Sequence, residues 1–105
     1  MKLLTKELRK KLPRIYEQEK TELRNKTVYI IFFHPLSHWR WFVTEGQPIL
    51  DEQGNEIDFE FFGLVKGFEE EWGYFTLREL EESTVRGFGI ERDMYFKEKK
   101  LSELK

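Results

Sequence analysis

Residues 27–44 read TVYIIFFHPLSHWRWFVT, and the alternation inside this stretch decides the fold. TVYIIFF is β-branched and aromatic on both faces, the composition of a strand covered from two sides, and it is expected to form the middle of a sheet. His34 and Pro35 end the run, and Leu36 and Ser37 turn it. His38–Thr44 then returns with Trp39, Trp41 and Val43 on one face and His38, Arg40, Phe42 and Thr44 on the other. The pattern is a β-hairpin.

Toward the C-terminus, Glu45–Glu56 carries Gly46, Pro48 and Gly54 and reads as a polar loop, or as a small secondary hairpin around Gln53 and Gly54. Ile57–Gly67 alternates Ile57, Phe59 and Phe61 against Asp58 and Glu60, a third strand. Phe68–Glu71 is a charged turn, and Trp72–Phe75 is a fourth strand. Thr76, Leu77, Arg78 and Glu79 make a capping box that opens a helix near 77–83, with Leu77 and Leu80 as its apolar stripe. Beyond Gly87 and Gly89, Asp93–Lys97 is strand-like and Ser102 caps a last helical turn.

Toward the N-terminus, Thr5 caps a helix over residues 6–12, with Glu7 in its first turn and Leu8 and Leu12 on one side, until Pro13 forbids continuation. The charged segment Arg14–Lys26 holds one more helical turn through Ile15 and Tyr16 before a loop near Asn25. The expected architecture is α+β: one domain over residues 1–105, with a mainly antiparallel sheet of four or five strands. A short N-terminal helix and the capped helix near 77–83 pack on it, the latter on one face.

Composition narrows the chemistry. The 105 residues contain no cysteine, which excludes a disulfide framework, thiolate zinc sites and thiol nucleophiles and suits a reducing cytoplasm. Lys6, Glu7, Arg9, Lys10 and Lys11 interrupt any signal-peptide core, and no apolar run approaches the roughly 20 residues of a membrane span. A soluble cytoplasmic protein without a membrane partner is expected. The net charge of −2 hides segregation: +6 over residues 1–44, −10 over 45–82 and +2 over 83–105. Such blocks either compensate one another in the fold or create local fields.

Of seventeen aromatic residues, thirteen lie between Tyr29 and Phe75. A small domain has too little interior for so many rings, so some are expected on a surface meant for a partner. Trp39, Arg40 and Trp41, with Tyr29 and Tyr74, form a candidate stacking platform for single-stranded nucleic acid. The adjoining acidic block opposes the basic groove that such binding needs. That block also admits an acidic inhibitor of a DNA-handling enzyme.

Other constellations are weaker. His34 and His38 have a spacing that suits metal ligation on a helix, but Pro35 and the strand context spoil it and no third ligand is evident. Asp58 and Glu60 lie about 7 Å apart on one strand face. They would serve acid–base chemistry only if burial raised one pKa, and an acidic edge that discourages aggregation explains them better. RGFGIERDMYF at residues 86–96 begins like an RNA-recognition signature, then fails at Ile90, Glu91 and Arg92. A Gly-rich turn leading into an edge strand fits it better. No cofactor or catalytic motif is present.

The motifs LLTKE and KLP at residues 3–13, WRWFVTEG at 39–46, FFGLVKGFEEEWGYFTLRELE at 61–81 and IERDMYFKEKKLSEL at 90–104 resemble a bacterial family of small single-domain proteins of unknown function. Members of that family are frequently encoded on plasmids and other mobile elements. The likeness covers nearly the whole chain, with Gln47–Glu56, His34 and His38 its least family-like parts. It adds Glu45, Lys66, Glu91, Arg92 and Asp93 as candidate site residues, although an alternating Glu-Arg-Asp equally makes ion pairs that pin a C-terminal strand. The expected function is a non-catalytic intracellular interaction module that binds another protein through Trp39, Arg40 and Trp41. Single-strand nucleic-acid binding is the alternative.

Overall fold

The computed structural model describes residues 2–104. In chain order it contains α1 (Lys6–Lys11), β1 (Thr27–Val28), β2 (Ile30–Phe33), β3 (Arg40–Leu50), β4 (Glu56–Lys66), β5 (Glu70–Thr76), α2 (Leu77–Glu82), β6 (Thr84–Val85), β7 (Phe88–Gly89), β8 (Glu91–Arg92) and β9 (Lys99–Lys100). Among the described residues no helix is long and apolar enough to cross a membrane. The fold is α+β around a five-stranded antiparallel sheet, ordered β5-β4-β3-β2-β8. Both helices start as their caps dictate. The Thr5 hydroxyl accepts from the Leu8 N–H and the Thr76 hydroxyl from the Glu79 N–H, each at 3.2 Å.

Several boundaries differ from the sequence expectation. Thr27–Phe33 is divided rather than continuous: Thr27 and Val28 pair with Lys100 and Lys99 in a separate ribbon, and only Ile30–Phe33 joins the main sheet. The middle of the sheet is therefore β3, not this segment. Glu45–Leu50 is strand, and the chain reverses in a small hairpin where Asp51 Oδ1 accepts from the N–H groups of Gln53 and Asn55. Gly46 and Pro48 suggest a break, yet the strand tolerates them. β2 flanks β3 only as far as Val43, and the Gly46 N–H points away from β4, to the Pro13 carbonyl. Pro48, two residues on, directs its missing donor to the same open side, where no ladder bond is lost.

Near the C-terminus the expected strand Asp93–Lys97 is shifted to Glu91–Arg92, because Asp93 Oδ1 accepts from the Tyr95 N–H and turns the chain. Trp72–Phe75 extends back to Glu70 as the edge strand β5. The turn at Leu101–Glu103 has no side-chain cap from Ser102. Ile15 and Tyr16 lie in turns instead of a helix, with Tyr16 at φ 77°.

Both faces of the sheet are covered. On one, Phe59, Phe61, Phe75, Phe32, Ile30 and Val43 pack beneath Leu3, Leu4, Leu12 and Leu80. Phe61 is the hub, with ring centroids 5.2, 5.5 and 5.6 Å from Phe59, Phe32 and Phe75. On the other, Ile31, Phe42 and Leu64 pack with Val28 and Leu101 from the ribbon and tail.

A buried ion pair joins the polar segment before β1 to this frame. Lys26 and Glu45 are 4% and 1% exposed, and Lys26 Nζ lies 3.4 Å from Glu45 Oε2. Lys26 also donates to the Gln18 carbonyl at 2.9 Å and sits over the Phe62 ring. Glu45 accepts from the Thr44 hydroxyl and the Gln18 N–H. Lys26→Met is expected to lower stability by about 3–5 kcal/mol, because it strands a buried carboxylate. Replacing both partners, Lys26→Met with Glu45→Leu, is expected to recover most of that loss. Urea unfolding of both single variants and the double variant checks it: a double-variant loss equal to the sum of the two single losses would show that the pair carries no mutual dependence.

A second long-range contact is the Tyr74 hydroxyl, which donates to the Tyr16 oxygen at 3.4 Å. That bond stabilises neutral Tyr74 and, with some burial, pushes its pKa up from 10.0 to about 12. Because the folded value is raised, the associated stability is complete below pH 10.0 and disappears as pH rises through about 12. Spectrophotometric titration is expected to show one tyrosine ionising near 12, and Tyr16→Phe is expected to return it toward the ordinary value.

Candidate functional site

The two tryptophans of the WRW motif lie at the end of β3 where the sheet meets the turn after β4. Trp41 stands opposite Val65, and Val65 opposite Glu71, so the three share a face. Trp39, just ahead of β3, extends that face. Its ring centroid lies 5.9 Å from Trp41 and 5.7 Å from Phe68, the latter nearly edge-on at 83°. Trp39 and Trp41 are half-buried, whereas Phe68 is 96% exposed.

Two open cavities flank Trp39. One, of about 490 Å³, includes His34, Trp39, Trp41, Glu82, Val85 and Ile90 in its wall. The other, of about 300 Å³, is bounded by Trp39, Val65, Phe68, Glu69 and Glu71. Among the described residues no Lys or Arg lines either cavity. Thr84 and Val85 of β6 wall the larger one, and Val85 pairs with Phe88 across the β6–β7 hairpin. His34 Nδ1 accepts from the Leu36 N–H at 3.1 Å, which places the neutral ring's proton on Nε2. His34 is buried and His38 exposed.

The remaining candidates separate. Arg40 points to the opposite face, its guanidinium 6.0 Å from the Phe33 ring centre. It joins Glu91, Arg92 and Asp93 around a third cleft of about 370 Å³, together with Phe33, Met94 and Tyr95. Lys66 is paired across the ladder with Arg40, and its Nζ lies 3.4 Å from Glu70. Glu45 is sealed in the ion pair with Lys26. Arg92 donates to the carbonyls of Lys2 and Leu3 at 2.6 and 2.8 Å, so it pins the N-terminal segment. The Asp93 N–H bonds the Ile31 carbonyl, fastening β8 to β2.

The five-residue stacking platform does not assemble. Trp39 and Trp41 lie on one face and Arg40 on the other, while Tyr74 packs there at a tilt against Phe62, which stacks with Trp72. Tyr29 lies near Thr5 and Leu8. Nor do Asp58 and Glu60 form an acid–base pair. Burial pushes the Asp58 carboxyl up, but the N–H groups of Phe59 and Arg78, the Thr76 hydroxyl and the Arg78 charge outweigh it and hold it below the ordinary value. β4 is moreover an interior strand, and the acidic edge lies at β5, which opens with Glu70 and Glu71. RGFG forms the β6–β7 turn, with Arg86 and Gly87 at positive φ, and leads into the edge strand β8.

Phe68, Glu69 and Glu71 belong to the aromatic site, although sequence marks them only as a charged turn. The available signal was Gly67-Phe68 followed by three glutamates: a large ring in a turn too short to bury it.

The chain matches no curated protein and no solved structure. Residues 3–104 match the family described as protein of unknown function (DUF2958), and with nearly its whole length covered the chain belongs to that family.

Proposed function

We propose that this chain is a non-catalytic protein-interaction module whose contact surface is the ring cluster Trp41, Trp39 and Phe68. Its setting, inside a bacterial cell and in the service of a mobile element, is taken from the sequence resemblance. The observation that carries the reading is Phe68. It leaves 96% of itself in water while its ring stands edge-on against Trp39. A partner that covers it gains apolar burial on a surface already arranged, and rings of this kind dominate the energetics of protein interfaces.

Charge favours a protein over a nucleic acid. Glu69, Glu71 and Glu82 border the cavities beside Trp39, and carboxylates there repel a phosphate backbone. The acidic-inhibitor reading has less support. Glu45 is neutralised by Lys26, and the carboxylates of the 51–55 turn lie at the opposite end of β4 from Glu69 and Glu70.

Selection of displayed random peptides against the folded protein tests the proposal. Enriched peptides are expected to bind Phe68→Ala and Trp39→Ala at least about tenfold more weakly, the cost of truncating an interface anchor. Phe68→Ala is the cleaner variant because so exposed a side chain contributes little to the fold. Peptides that bind wild type and both variants equally, or salt-sensitive binding of single-stranded DNA in preference to every peptide, would overturn the reading.

A further inference from the structure

We infer that the cavity between Trp39, Val65, Phe68, Glu69 and Glu71 receives a cationic side chain, arginine or lysine, from the partner segment; this rests on the interaction reading above. Its walls are two aromatic rings and an aliphatic floor, with a carboxylate from the turn and another from the edge strand. Neither Glu69 nor Glu71 has an ion-pair partner among the described residues, whereas Glu70 between them lies 3.4 Å from Lys66 Nζ. That difference follows from the strand. Glu71 is the register partner of Val65 on the Trp41 face, and Glu70 is the partner of Lys66 on the other. Alternation thus leaves an unneutralised carboxylate beside the rings.

The aromatic wall is held in place before any ligand arrives. A Cβ at Gly67 would overlap the Trp39 ring, so the indole lies directly against the backbone of the turn. Phe68 meets it nearly edge-on, and the Gly67 N–H donates to the Glu69 carbonyl at 3.0 Å, closing that turn. A cation over a tryptophan face is attracted by the ring quadrupole, and a neighbouring carboxylate adds a charge-assisted hydrogen bond. Arginine uses both features best, since its planar guanidinium stacks and donates in a fork. At about 300 Å³ the space lies at the small end of ligand pockets, suited to one side chain rather than to a cofactor. The larger cavity across Trp39, with Trp41, Val85 and Ile90 in its wall, suits an apolar residue adjoining the cation. The partner motif is a basic residue beside an apolar one.

Tryptophan indole N–H resonances in NMR provide the test, because Trp72 lies on the opposite face with Phe62 and serves as an internal control. The probes are acetyl-Leu-Arg-Leu-Arg-Leu-amide and the same peptide with citrulline for arginine, which keeps the shape and removes the charge. The arginine peptide is expected to shift Trp39 and Trp41 and leave Trp72 in place. The citrulline peptide should bind at least about fivefold more weakly, as expected when a cation–π contact and a charged hydrogen bond are lost. Glu69→Gln with Glu71→Gln, both exposed, should bring the arginine peptide down to the citrulline level. Gly67→Ala, which displaces Trp39, should weaken both peptides. Equal binding of the two peptides, or no effect of the glutamine variants, overturns the cation site and leaves the interaction reading intact. If neither these peptides nor any display-selected peptide shifts Trp39 or Trp41, both fall.

Discussion

The Lys26–Glu45 pair is the constraint on which the rest of the architecture depends. Between Val43 and Glu45 the β3–β4 register slips by one residue, a bulge that leaves Thr44 without a partner of its own opposite β4. Thr44 and Glu45 are both buried there. A carboxylate in that position is tolerated because an ammonium reaches it and because the Thr44 hydroxyl and Gln18 N–H occupy its remaining acceptor capacity. Gln18 completes the junction. Its side-chain amide donates to the Thr44 and Thr27 carbonyls and accepts from the Thr27 N–H. The segment 14–26 has few apolar residues with which to pack, and this polar network fixes its path. The strained φ of Tyr16 and its reach to Tyr74 are consequences of that path.

Local sequence signals reported the elements that local physics controls. The capping residues Thr5 and Thr76 and the inward Phe59 and Phe61 correspond to what the chain does, whereas Ile57, expected inward with them, is 50% exposed near the start of β4. The misplaced boundaries share one cause, that the deciding contact is remote in sequence. Thr27–Phe33 has the composition of one strand, but Val28 is drawn to Lys99 by a tail about seventy residues away. Gly46 and Pro48 carry turn propensity, yet β3 continues because its open side needs no donor from Pro48 and because Gly46 bonds Pro13. Propensity yields to tertiary pairing in each case.

The candidate site was partly legible for the same reason. Alternation correctly separated Trp39 and Trp41 from Arg40, because side-chain direction in a strand has a period of two. What it could not convey was which other elements meet those rings. Phe68 approaches Trp39 through the β4–β5 turn, and Glu71 arrives by ladder register, both set by pairing rather than by neighbours in sequence. Glu45 and Arg92 looked like unexplained polar residues for the converse reason. Their partners, Lys26 and the carbonyls of Lys2 and Leu3, lie far along the chain.

The run Glu69-Glu70-Glu71 draws these arguments together. β5 is an edge strand with one side unpaired, and charge at its start discourages a second chain from adding to the sheet. Edge protection alone would be indifferent to which face each carboxylate takes. The pleat is not indifferent: it sends Glu70 toward Lys66 and Glu71 toward the Trp41 face. One short acidic run therefore supplies a cross-strand ion pair on one side of the sheet and unneutralised charge beside exposed rings on the other. A surface that combines Phe68 in water with free carboxylates repels anions and rewards a cation carrying apolar bulk. Its selectivity originates in the two-residue period of the same strand that closes the sheet.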